Sequence, residues 1–139
     1  VYGFDWFKGH VQGKNDKKEH EGKYKSSYLD LKKNIKMLKL DNTKIIKIDL
    51  VKNLKNFFSQ NKWLRFKYVF IDCGTEKVLE NAVPLFWSRL LKNGVMILDH
   101  YNNPTSPSES NIIDNVIGNN SIEKFYFSDH PSAFIIKKK

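Results

Sequence analysis

Four aspartates, Asp5, Asp49, Asp72 and Asp99, stand where apolar or β-branched runs give out: YGFD, KIIKID, KYVFID and GVMILD. In an open parallel sheet the carboxyl ends of the strands share one edge, and ligands bind in the crevice beside them. A carboxylate at the end of an early strand can accept two hydrogen bonds from a ribose diol, which makes Asp5 the candidate for holding a nucleoside. Two carboxylates ending adjacent central strands can share a divalent cation or poise a base against a hydroxyl. Asp72 and Asp99 are the candidates for that work. His100 follows directly and is base, ligand or bystander. The plain alternative for any one of the four is a helix cap, because aspartate is common in the turn after a strand.

The elements that must position these residues follow from periodicity. The opening VYGFD reads as a strand, and the polar stretch from Lys8 to Lys25 as a mobile loop. SSYLDLKKNIKMLKL places Tyr28, Leu31, Ile35 and Leu38 on one helical face, with Ser26 or Ser27 as N-cap. TKIIKIDL predicts a strand, and LVKNLKNFFSQN a second amphipathic helix carrying Leu54, Phe57 and Phe58. KYVFIDC is a nearly unbroken apolar run, the pattern of a strand covered on both faces. A helix over EKVLENAVPLFWSRLL is expected to kink or restart at Pro84, which has no N–H to donate. GVMILDHY is another buried strand, NNPTSPSES a loop, and SNIIDNVIGNN a helix closed by Gly118. IEKFYFS and SAFIIKK read as two strands joined through DHP. Strands alternating with helices predict an α/β fold, mainly parallel, with an antiparallel C-terminal hairpin, in one domain over residues 1–139.

Composition narrows the partners. The net charge of +9 invites a nucleic-acid reading, but of 24 basic residues only Arg65 and Arg89 are arginine, and the lysines are scattered. Base and phosphate readers lean on arginine forks, so a solvated lysine surface explains the charge and no nucleic-acid partner is expected. No run approaches the roughly 20 apolar residues of a membrane helix, so no membrane partner is expected. The lone Cys73 excludes an internal disulfide and fits a reducing, cytoplasmic setting. It reads as a strand-end residue with no basic neighbour to make it a nucleophile. Trp63, Trp87 and the phenylalanines read as packing residues, and Trp6, beside Asp5, as packing or as a wall of an adenosine pocket. His10, His20 and His130 fall in expected loops without ligand-like spacing.

Taken in order, GFDWFKG, IDCGTEKVLENAVPLFWSRLLKNGVMILDHYN, the PSES loop and PSAFIIKK resemble the macrocin O-methyltransferase family over essentially the whole chain. These are class I S-adenosylmethionine-dependent methyltransferases. The resemblance implies a Rossmann-like methyltransferase sheet lacking its first strand, since the family's pattern begins one strand, a glycine-rich turn and one helix ahead of GFD. None of the seven glycines here forms a GxGxG cluster. In that fold the first strand lies between the second and the fourth. The expectation is therefore a gap in the sheet, a closing-up of its neighbours or an unstable fragment, with poor cofactor binding by the chain alone.

The implied activity is O-methylation of a hydroxyl on a sugar or other small polar metabolite, with a catalytically inactive methyltransferase-fold binding domain as the alternative. The resemblance implies S-adenosyl-L-methionine held by Asp5 at the ribose, Trp6, Asp49 near the adenine, and Asp72. It implies Asp72, Asp99 and His100 as the catalytic group and as ligands of a possible Mg2+. Glu109 becomes either a substrate contact or an exposed first-turn residue. Two positions depart from the family's pattern: Gly74 and His100 stand where carboxylates are frequent. Magnesium prefers oxygen ligands, so this exchange points to weak or absent metal dependence and to His100 as the base, with an ordinary pKa of about 6.5. A homo-oligomer is a possible assembly.

Overall fold

The apolar runs ending in aspartate become the strands of a computed structural model. It describes all residues except 105, 119–121, 129 and 139, and all their side chains except those of His20 and Pro107. β1 (Tyr2–Asp5) pairs in parallel with β2 (Lys44–Lys47), Phe4 opposite Ile46. Between them lies α1 (Tyr28–Met37), where the Ser27 hydroxyl accepts from the Asp30 N–H at 3.2 Å as N-cap. After α2 (Leu54–Gln60), β3 (Phe66–Ile71) pairs in parallel with β4 (Leu90–Leu98) across α3 (Glu76–Arg89). Then α4 (Pro107–Ile117) leads to β5 (Ile122–Lys124) and β6 (Ala133–Ile136), an antiparallel pair whose β6 also lies antiparallel to β4. The result is two sheets, β1–β2 and β3–β4–β6–β5. Asp129, in the DHP link, and Asn119 and Asn120, at the end of the predicted helix, lie outside the described residues.

No backbone ladder joins β1 to β3 among the described residues, where the resemblance places a further strand. An aromatic cluster bridges the sheets instead. The Phe4 ring of β1 meets Phe57, Phe58, Phe66 and Phe86 at centroid distances of 5.2–6.3 Å, mostly edge to face. Such pairs are worth about 0.5–1.5 kcal/mol each beyond their burial.

The main core lies on one face of the larger sheet. Val69, Ile71, Met96, Leu98, Ala133 and Ile135 are buried, together with Leu79, Val83 and Phe86 of α3 and Ile113 of α4. The other face is open: Tyr68 is 69% and Phe70 55% exposed. The expectation of a strand covered on both faces therefore fails for β3. Its continuous apolar run is divided by the strand's period of two, and α3 and α4 cover only one of the two sets.

Four further expectations change. α3 runs unbroken through Pro84, so no second segment starts there. Proline there forfeits one helical bond, to the carbonyl of Glu80, an exposed residue. The face of α1 is barely used: Tyr28 and Ile35 are half-buried, while Leu31 and Leu38 remain exposed and no residue of the helix is fully buried. α4 starts at Pro107, inside the expected loop, because proline at a first helical position has no N–H bond to lose. Trp63, expected to pack, is 68% exposed.

Candidate active site at the strand ends

β3 and β4 end side by side. The Asp99 N–H donates to the Ile71 carbonyl at 3.1 Å, extending the ladder one step and setting Asp72 and Asp99 at neighbouring strand ends. Beside them opens a cavity of ≈ 580 Å³, lined by Asp5, Trp6, Asp49, Asp72 and His100. That volume suits a ligand of nucleoside size or larger. Asp99 is not in the lining; it stands behind His100, with its Oδ2 3.2 Å from His100 Nδ1.

The cap reading is partly realised in the same carboxylates. Asp49 Oδ1 accepts from the Val51 and Lys52 N–H groups at 2.9 and 3.1 Å, an Asx-type start to the next helical turns. Asp5 Oδ1 accepts from the Phe7 N–H at 2.7 Å, which holds a turn whose Phe7 has φ +64°. Asp72 is exposed to the cavity and accepts no hydrogen bond among the described residues. Of the four it is the most available to an incoming ligand.

Three residues take places at the site that the sequence did not give them. His10, expected to be solvated, lines the cavity, its ring packed on Tyr24 at 4.8 Å. Asp16, in the expected mobile loop, closes that loop over α3 and α4. Its carboxylate accepts from the Glu76 N–H at 3.0–3.1 Å, the Gly13 N–H at 2.6 Å and the Ser108 hydroxyl at 3.3 Å. A negative charge at the first turn of α3 is where the exposed helix N–H groups favour it. At the other end, Gly9 (φ +86°) lets the backbone pinch against Gly22 and Lys23, where a Cβ would collide with the Lys23 carbonyl oxygen.

The third residue is Glu109, which fits neither of its expected roles. It sits in the first turn of α4 with none of its side chain exposed. Oε1 accepts from the His100 N–H at 3.0 Å, and Oε2 is buried without a hydrogen-bond partner among the described residues. Burial pushes the carboxyl up to about 7; the His100 N–H pulls the other way, and the nearby Asp99 and Asp72 charges add to the rise. Burial likewise pushes the Cys73 thiol up, reinforced by Glu109, Asp72 and Asp5, so this cysteine is a poor thiolate.

The metal ligands are redistributed. Asp72 does not gather with Asp99 and His100; the cluster among the described residues is Asp99, His100 and His130. β6 begins just after His130 and pairs with β4, which carries the imidazole to Asp99 from 31 residues away. Spacing in sequence gives no sign of such a partner. Two imidazoles and one carboxylate do not fit magnesium, a hard cation that selects oxygen ligands.

The fold is that of a Rossmann-like methyltransferase sheet, mixed in direction and closed by an antiparallel hairpin. Among solved structures, the chain is similar to the crystal structure of CalS11, calicheamicin methyltransferase, with TM-score 0.81 and 14% identity over 97% of this chain and 59% of that one. It is also similar to the apo structure of CalS11, described as a TDP-rhamnose 3'-O-methyltransferase in calicheamicin biosynthesis, with TM-score 0.73 and 16% identity over 97% of this chain and 57% of that one. The chain thus spans less than two thirds of either. No protein-family model and no curated protein sequence matches the chain. No helix among the described residues is long and apolar enough to cross a membrane.

Proposed function

We propose that the chain is part of an S-adenosylmethionine-dependent O-methyltransferase whose acceptor is a hydroxyl of a sugar or similar small polar metabolite. The observation that carries this reading is the single cavity at the strand ends into which Asp5, Trp6, Asp49, Asp72 and His100 converge. The likeness of fold to a sugar O-methyltransferase supports it.

The lining fits a nucleoside at one end: Asp5 offers its second carboxylate oxygen to a ribose diol, Trp6 offers an aromatic wall, and Asp49 and Leu50 border the space beyond. When bound, the cofactor supplies an electrophilic methyl group on a sulfonium. The chain's own residues hold the acceptor, exclude water and remove the hydroxyl proton. Positioning supplies much of the rate in such a displacement. His100 and Asp72, which line the cavity beside the ends of β3 and β4, are the groups assigned to accept the proton. Asp16 keeps the 8–25 loop down on the helix ends, which narrows access from solvent.

Asp5→Asn tests the nucleoside assignment with little structural damage, because the amide oxygen can still accept from the Phe7 N–H. Calorimetric titration of the protein, expressed from its complete reading frame, with S-adenosylmethionine is expected to show about 10- to 100-fold weaker binding for the variant. That matches the loss of one charged hydrogen bond, about 1.5–3 kcal/mol. Equal affinities would remove Asp5 from the site, and no binding by either protein would favour a non-catalytic domain.

A further inference from the structure

The Asp99–His100–His130 cluster has more order than a chance meeting of side chains. Asp99 Oδ2 lies 3.2 Å from His100 Nδ1 and 3.6 Å from His130 Nδ1. One ligand atom from each of the three residues falls within 4.8 Å of the others. Donors that share a cation at bond lengths of about 2.0–2.2 Å stand roughly 3–3.5 Å apart. Two of the three separations are therefore close to that range before any ion binds.

His100 Nδ1 is buried and makes no aligned hydrogen bond among the described residues, although a carboxylate oxygen stands near it. A buried nitrogen left this way has a cost that a shared cation removes. The rest of the cluster is held in place. His130 Nε2 is 3.4 Å from the Asn103 side-chain amide, which orients the ring with Nδ1 towards Asp99; the 3.2 Å contact of that Nδ1 with the Asp99 carbonyl oxygen gives way when its lone pair is used for a metal. The two imidazole rings lie 4.7 Å apart at their centroids. Outer partners that fix an imidazole's orientation are a regular part of metal sites. Asp99 is mostly buried and His130 half exposed, so an ion has a route in from solvent.

We propose that Asp99, His100 and His130 bind a borderline divalent transition-metal ion, of the Zn2+ or Co2+ type and not Mg2+, with an open coordination position on the solvent side, beside His130. Two imidazoles and one carboxylate select such ions, and three protein ligands leave room for a water or a hydroxyl. The proposal stands on the cluster's geometry and does not depend on methyl transfer.

The test is a titration of chelator-stripped protein, without cofactor or acceptor, by Zn2+ in a calorimeter and by Co2+ in a spectrophotometer. The expected result is uptake of one ion per chain, visible d–d absorption with Co2+, and no competition from Mg2+. His130→Gln, at a half-exposed position, is expected to weaken Zn2+ binding at least about 100-fold with the melting temperature of the metal-free protein unchanged. Cys73→Ser, which removes the other soft ligand nearby, is expected to leave binding as it was. Binding that survives His130→Gln, is lost with Cys73→Ser, or is matched by Mg2+ would overturn the proposal. S-adenosylmethionine binding, measured separately, reports on the methyl-transfer reading alone.

Discussion

Glu109→Gln is expected to stabilise the protein by about 3 kcal/mol at pH 8 in chelator-containing buffer, and to leave its stability nearly unchanged at pH 4. The folded protein holds this carboxyl at about 7 against an ordinary value of 4.5, so it binds the proton more tightly than the unfolded chain does. Stability from that proton is complete below pH 4.5 and is lost as pH rises towards 7. Above that, the fold carries a buried carboxylate with one unpartnered oxygen. Its cost is about 1.4 kcal/mol for each pH unit that separates the folded and unfolded values. Glutamine keeps an oxygen for the His100 N–H and carries no charge to desolvate. Urea unfolding of both proteins across pH 4–9 would show their curves separating between pH 4.5 and 7. Parallel curves would mean that Glu109 is not buried.

Arg89→Ala is expected to destabilise the protein by roughly 3–4 kcal/mol, with Arg89→Lys recovering little of it. The guanidinium donates to the carbonyls of Phe58, Asn61, Lys62 and Leu64 at 2.8–3.3 Å and lies over the Phe58 ring at 4.6 Å. It therefore ties the carbonyls at and just beyond the end of α2 to α3, sharing those of Lys62 and Leu64 with Arg65 and that of Asn61 with the Leu64 N–H. Hydrogen bonds to a charged donor contribute about 1.5–3 kcal/mol each where they exclude water. Several here are partly exposed and contribute less. An ammonium cannot span four carbonyls from one plane. The drop should appear in the urea midpoint, and a change under about 1 kcal/mol would show that Arg65, the Leu64 N–H and water satisfy these carbonyls without Arg89.

The strand ends were legible in the sequence because each strand is a dense apolar run stopped by a charge. Asp5, Asp49, Asp72 and Asp99 could be found that way, and the alternation of elements gave the fold class. What the sequence hid are contacts made by distant segments. Glu109 looked exposed because a first-turn carboxylate in a Ser- and Pro-rich stretch usually is; only the packing of α4 against the β4 end buries it. His130 looked solvated because its partners, Asp99 and His100, lie about 30 residues away and meet it through β4–β6 pairing. Asp16 sat in a run of lysines and polar residues, yet it caps α3 from 60 residues off. Tyr68 and Phe70 read as core because composition cannot tell which face of a strand has a helix over it. Pro84 suggested a break that an otherwise helix-forming segment absorbs.

The central claim is that one cavity at the strand ends brings a nucleoside cofactor and an acceptor alcohol together. Incubation of the protein from its complete reading frame with methyl-labelled S-adenosylmethionine and a panel of nucleotide-linked sugars tests it most directly. Label is expected on a sugar hydroxyl, reduced when Asp72 is replaced by asparagine. Cofactor bound at full affinity with no label reaching any hydroxyl, or label transferred at an undiminished rate by the Asp72→Asn and His100→Gln double variant, would contradict it.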